Sequence, residues 1–282
     1  MSHLHHLLAS DFDGTIAFTS TPSPNGITVE GACQSVILNM FGDNGITAYD
    51  LSGGLQSREP GELINIILET ARNNNLNLGN EDVDTPTLID ELIRQKLAII
   101  LPEISEDWPL LAPGFREFAP QIRDLGIKLG ILTSGHDEFI NTFFEIHNLP
   151  TPEIVISSDT LRANGVPERY KPDPYSLEAA LRQFQILHGE SPRSVLYIGD
   201  SAEKDGELAR RAGIPFGLIN PRARFDVSLD HAIKIFEFQD FYLLGRLFSD
   251  QEQAFRSSEG FRSLFLPSDN QLEGTFYAKE KE

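Results

Sequence analysis

The chain has 282 residues, 40% hydrophobic and 23% charged, which is enough apolar material for one large globular domain or two modest ones and excludes a disordered chain. A formal net charge of −19 excludes nucleic acid and anionic membranes as general partners, since both are bound through basic surface, but it leaves a phosphorylated small molecule open if cations gather locally. The lone cysteine, Cys33, excludes an intrachain disulfide and a cysteine-rich zinc site; among Val36, Ile37 and Met40 it reads as a small core residue.

His3, His5 and His6 crowd the start, a terminus running into the first strand rather than a metal site. No basic stretch followed by a long apolar one opens the chain, and no apolar run approaches the roughly 20 residues that span a bilayer. A cytoplasmic address with no membrane partner is expected. The apolar run Leu7-Leu8-Ala9 then stops at Asp11-Phe12-Asp13-Gly14-Thr15. If the extended conformation persists, Asp11, Asp13 and Thr15 share one face and point into one crevice. Each of two close carboxylates raises the cost of ionising the other, and a divalent cation is the usual way to keep a nucleophilic carboxylate charged in such a place. Asp-Gly is also the commonest turn dipeptide, so this run alone leaves both a reactive loop and a plain turn open.

Turn formers from Thr19 to Gly26 lead into an inserted unit. Val29, Ala32, Cys33, Val36, Ile37, Met40 and Phe41 recur at helical spacing. A second helix is expected from Pro60 to about Ala71, and a third with Thr85 as its cap and Pro86 in its first turn. No convincing strand interrupts them, so residues 19–111 read as a helical unit. Strands and helices alternate afterwards. Strands are expected at Ile127–Thr133, Ile154–Ile156, Ser194–Ile198, Phe216–Ile219 and Ala232–Phe236, separated by helices at Gly114–Leu125, His136–His147, about Asp173–Leu187 and Ala202–Ala212, with another near Tyr242–Phe248. Residues 1–18 and 112–250 together make an α/β core, a parallel sheet with helices on both faces, whose ligand crevice lies beyond the carboxyl ends of the strands. Residues 251–282 form a C-terminal extension, docked through residues such as Phe255, Phe261 and Leu264 or partly disordered.

Four short segments fall at those strand ends or next to them: Asp11-Phe12-Asp13-Gly14-Thr15, Ile131-Leu132-Thr133-Ser134, Lys171-Pro172-Asp173-Pro174, and Gly199-Asp200-Ser201 with Asp205. In this order they resemble the haloacid dehalogenase (HAD) superfamily, over about residues 6 to 248. The resemblance implies a Rossmann-like α/β core with an inserted helical cap that closes over the crevice. It also implies that Asp11 is a nucleophile forming a covalent intermediate. Members that release halide, or that cleave phosphorus–carbon bonds, lack an acid at the position of Asp13, whereas an ester's alkoxide needs a proton, so Asp13 points to phosphatase or phosphotransferase chemistry. Thr133 would donate to a phosphoryl oxygen beside Ser134, and Lys171 would neutralise the nucleophile and the transferring group. Magnesium, with its preference for an oxygen shell, would be held by Asp11, the main-chain carbonyl of Asp13 and Asp200, with Asp205 as a ligand, as support, or only as a helix-start acid.

Arg58 is the candidate cap cation reaching substrate, a surface arginine being the alternative; His136 either lines the mouth or simply starts a helix. The expected function is hydrolysis of a small phosphorylated metabolite through an aspartyl-phosphate. A phosphomutase or phosphotransferase, and a non-catalytic binding protein with a vestigial site, are the alternatives. The sequence leaves the metabolite and the oligomeric state open.

Overall fold

Five consecutive buried residues, His6–Ser10, make the first strand, β1, and a strand buried on both faces belongs in the middle of a sheet. In the computed structural model, which describes residues 5–54, 59–79, 83–222, 226–230, 233–256 and 259–265, β1 pairs in parallel with β4 (Ile127–Leu132) on one side and β6 (Val195–Gly199) on the other. Beyond β4 lies β5 (Ile154–Ile156), and beyond β6 lie β7 (Phe216–Ile219) and β9 (Ile233–Phe238), all parallel. An antiparallel edge strand, β8 (Asp226–Asp230), completes the order β5-β4-β1-β6-β7-β9-β8.

Alternation along β1 feeds two cores. Leu8 packs into one with aromatic residues of α4 (Phe115–Asp124), α5 (Asp137–Ile146) and α9 (Phe241–Asp250), among them Phe115, Phe118, Phe143 and Phe248. Leu7 and Ala9 face the other way, toward Leu177, Ala180 and Phe184 of α7 (Tyr175–His188) and Leu208 of α8 (Glu207–Ala212). The fold is therefore the expected Rossmann-like α/β sheet with helices on both faces.

Between β2 (Ala17–Phe18) and β3 (Leu110–Leu111), which pair antiparallel where the chain leaves and re-enters this core, run α1 (Val29–Leu51), α2 (Pro60–Asn73) and α3 (Thr85–Ile100). Their facing positions, including Val36, Ile37, Leu63, Ile67, Leu88 and Leu92, form a separate apolar cluster. The crossing is braced by the Trp108 Nε1–H donating to the Thr21 carbonyl at 2.7 Å and the Ser23 hydroxyl donating to Glu103 at 2.6 Å.

Several expectations change in detail. The first helix runs past the periodic residues, which end at Phe41, and reaches Leu51 through a kink at Gly42, whose φ of +64° breaks the apolar period. The third helix is capped by Asp84, whose carboxylate accepts from the Thr87 N–H at 3.0 Å, and Thr85 is its first helical residue. The helix expected from Ala202 opens as a wide π turn, Ala202–Gly206, before α8. The short elements were not expected: α6 (Ser158–Ala163), too short to show a period and set by a capping box between Ser157 and Thr160, the two-residue strands β2 and β3, the edge strand β8, and the single-turn helix that follows α9. The C-terminal segment docks, through α10 (Glu252–Phe255) and the turn Gly260–Phe265, burying Phe255, Phe261 and Leu264 in the β1 core. His6 is held there as well, with Nδ1 on the Ser194 hydroxyl at 2.8 Å and Nε2 on the Phe255 carbonyl at 3.1 Å. Residues 266–282 lie outside the described residues. Among the described residues no helix is long and apolar enough to cross a membrane.

Candidate active site

The register of three strands decides where the polar residues fall. Ser10 sits opposite Ile131 of β4 and Ile198 of β6, so Asp11, Thr133 and Asp200 emerge within two residues of one another at the same sheet edge. The extended conformation ends at Ser10, however. Asp11 still donates its N–H to the Ile198 carbonyl at 2.9 Å, and the chain then closes a tight loop in which the Ile16 and Ala17 N–H groups return to the Phe12 carbonyl at 2.9 and 3.0 Å. Phe12 anchors the loop in the core, edge-on to Phe143 at 5.1 Å. Asp11, Asp13 and Thr15 are thus gathered by a turn rather than by strand alternation, and their side chains divide. The Thr15 hydroxyl donates to Asp11 Oδ2 at 3.4 Å, while the Asp13 carboxylate accepts from Thr19 at 2.7 Å and from Thr133 at 3.5 Å.

Gly14 is required twice over. Its φ of +79° favours glycine, and a Cβ there would overlap the Asp200 carboxylate, which closes against the loop. Gly199 has the same function one loop away, leaving room for the Asp205 carboxylate.

Lys171 lies at the centre of the charges. Its ammonium donates to Asp11 Oδ1 and, at 2.9 Å, to Asp205 Oδ1. The loop that delivers it is tied by the Arg169–Asp173 ion pair at 3.1 Å and by the Tyr175 N–H donating to Asp173 at 2.8 Å. Asp205 is fully engaged: Tyr197 donates to Oδ1 at 2.8 Å and the Ser201 N–H to Oδ2 at 3.1 Å. Tyr197 was not singled out in the sequence, although a tyrosine within an apolar central strand must find a partner for its hydroxyl, which was the available signal.

Carboxylate oxygens of Asp11, Asp200 and Asp205 all lie within 4.8 Å of one another, with Asp200 the exposed member. Burial pushes the Asp11 carboxyl above the ordinary range; Lys171 opposes this, and the charges of Asp205 and Asp13 add to it. Asp200 is raised too, by partial desolvation and by Asp205. Burial would lower the Lys171 ammonium, but Asp11, Tyr197 and Asp205 hold it well above the usual lysine value. Asp11 and Asp200, both raised by neighbouring carboxylate charge, favour added positive charge, and a donor set of hard carboxylate oxygens suits a divalent cation such as magnesium.

Thr133 and Ser134 line the cleft together with Lys171, Tyr170, Ser176 and Glu59. The Thr133 hydroxyl also accepts from the Gly135 N–H at 2.9 Å. Glu59, which no sequence pattern singled out, enters from the N-cap position of α2. Arg58 lies outside the described residues. His136 is the residue before α5, buried, with Nδ1 on Asp159 at 3.1 Å, and it is not among the residues that line this cleft.

A family model described as haloacid dehalogenase-like hydrolase matches residues 5–213. A comparison with curated proteins returns no match. Among solved structures, a predicted phosphoglycolate phosphatase from Haemophilus somnus superposes with a TM-score of 0.54 at 16% identity, covering 88% of this chain and 99% of that one. CbbY from Rhodobacter sphaeroides, solved with phosphate, gives 0.52 at 15% identity over 85% and 96% of the two chains. The HAD-hydrolase YfnB from Bacillus subtilis, bound to magnesium, gives 0.51 at 15% over 87% and 99%. At these identities the structures share the fold, and the family match, which spans the loops of Asp11, Thr133, Lys171, Asp200 and Asp205, carries the assignment: this chain belongs to the haloacid dehalogenase-like hydrolases.

Proposed function

We propose that the chain is a magnesium-dependent phosphatase that hydrolyses a small phosphorylated metabolite through an aspartyl-phosphate on Asp11. The observation that carries this reading is the Lys171 ammonium bridging Asp11 and Asp205 within a cluster of three carboxylates at the end of β1. Asp11 attacks phosphorus, an Asp–O–P bond forms and the ester P–O bond breaks; Asp13, set by Thr19, gives its proton to the departing oxygen. Asp13, now a carboxylate, takes a proton from water as that water attacks the phosphorus, which releases inorganic phosphate and frees Asp11. Lys171 and Thr133 face the charge that spreads over the phosphoryl oxygens. Asp11, Asp200 and the main-chain carbonyl of Asp13 would hold magnesium, which supplies positive charge against those oxygens and against the crowded carboxylates. Asp205, with both oxygens already engaged, acts as the residue that positions Lys171. The helical unit of α1 to α3 serves as the cap.

The test is phosphate release from a panel of phosphorylated metabolites, with magnesium or with EDTA, using Asp11→Asn as the control. Turnover is expected only in the wild type with metal. Equal release in EDTA would contradict the reading, and an isomerised ester without free phosphate would replace hydrolysis by phosphoryl transfer.

A further inference from the structure

One flank of the cleft holds polar atoms that the reaction above leaves unused. Glu59 is 4% exposed and lines the cleft with Thr133, Ser134 and Lys171, yet its Oε1 has no hydrogen-bond partner among the described residues. It occupies the N-cap position of α2, where an acidic side chain would ordinarily turn back onto the free N–H groups of the helix, and it makes no such bond. Its side chain forms part of the cleft wall instead, with Oε1 buried just behind that wall. Ser176, at the start of α7 and also 4% exposed, lines the same space, and its Oγ is unpartnered as well. The two come from opposite sides, Glu59 from the helical unit and Ser176 from the core, and Tyr170 ties those sides together by donating to Glu62 of α2 at 2.5 Å.

Ser158 and Lys96 act on the Glu59 carboxyl, but Oε1 itself has no donor among the described residues; a buried acceptor without a donor is costly, and bound substrate can supply one. The phosphoryl oxygens are anionic and cannot serve, so the donor must lie on the leaving group. An ammonium there would meet Lys171, with Lys204 also lining the cleft and Lys96 close enough to act on Glu59. A carboxylate there would meet Glu59 itself. A neutral hydroxyl satisfies both Glu59 and Ser176 without opposing any of these charges. We propose that Glu59 and Ser176 form a hydroxyl-binding subsite for the leaving group, so that the preferred substrates are phosphate monoesters of polyols, sugars included. This rests on the phosphatase reading and specifies its substrate class.

The experiment compares kcat/KM of the full chain with magnesium on four-carbon esters matched in size: erythritol 4-phosphate, n-butyl phosphate, 4-phosphooxybutanoate and 4-aminobutyl phosphate. Wild type is expected to favour the erythritol ester by about tenfold or more over each of the others, as sites built around a substrate hydroxyl do. In Glu59→Ala that ratio should fall to within about threefold, chiefly through a higher KM for the erythritol ester, with Glu59→Gln and Ser176→Ala each giving part of the loss. Circular dichroism verifies folding, and Glu59→Gln, which keeps shape, stands in if the alanine variant does not fold. Phosphate release without preference for the hydroxylated ester, or a preference that survives both Glu59 variants, overturns the subsite and leaves the phosphatase standing. Absence of phosphate release from every ester overturns both.

Discussion

The floor and the flank of the cleft are built on opposite terms. On the floor, Lys171, Asp205 and Tyr197 saturate one another, and Asp11 is held by Lys171 and Thr15, so the groups proposed to react are fixed before substrate arrives. On the flank, one Glu59 oxygen and the Ser176 hydroxyl are buried with no hydrogen-bond partner among the described residues. Preorganised charge favours a transition state because nothing need reorient as the reaction proceeds, whereas an unsatisfied atom discriminates among ligands, since only the right one removes its cost. One pocket thus separates how a bond is broken from whose bond it is.

The sharpest way to break this comparison is at the floor. Asp11→Asn keeps the shape and removes the nucleophile, and phosphate release is expected to fall about a thousandfold or more with the circular dichroism spectrum unchanged. Residual turnover close to wild type would mean the chemistry starts elsewhere. Asp200→Asn should cost on the order of a hundredfold at saturating substrate and raise the magnesium concentration needed for half-maximal rate, since Asp200 is the open member of the acid cluster. A magnesium dependence identical to wild type would remove it from the cation's shell.

The flank is sharpened by pH. Burial places the Glu59 carboxyl at about 7 against an ordinary 4.5; Ser158, Lys96 and Lys171 pull it down, and Glu62 adds to the rise. The folded chain therefore binds this proton more tightly than the unfolded chain, and the stabilisation is complete below about pH 4.5 and is lost as pH rises through 7. Glu59→Gln stays neutral, so its stability relative to wild type should improve by roughly 2 to 3 kcal/mol between pH 4.5 and 8, measured by urea unfolding. A difference that does not change with pH would show the flank to be as well paired as the floor. The smallest effect belongs to Tyr197→Phe, which removes one donor from Asp205; about 1 kcal/mol of stability and a severalfold lower kcat with little change in KM are expected.

The floor was legible in the sequence where a residue type coincided with the end of a strand. Asp11, Thr133 and Asp200 follow apolar runs whose register brings them to one edge, and Lys171 arrives in a proline-bounded loop. What was not legible depended on partners far away in the chain. Tyr197 looked like one more apolar strand position, because its hydroxyl is matched eight residues later across a π turn that no local pattern announces. Glu59 stands before a helix, where an acid has a local explanation, and only the packing of α2 against the core turns it into the cleft. Asp84 and Thr85 show the same limit at short range: adjacent residues, both competent caps, were separated by the exact place where the helix begins. The gathering of Asp11 and Asp13 was foreseen for the wrong reason, since a closed turn and not an extended strand brings them together.

Gly14 carries a consequence of its own. Because the Asp200 carboxylate fills the space where its side chain would be, the turn after the first strand and the turn after the sixth can take up their positions only together. One extra methyl group at residue 14 would leave every acid, hydroxyl and lysine in the sequence and still hold the two turns apart.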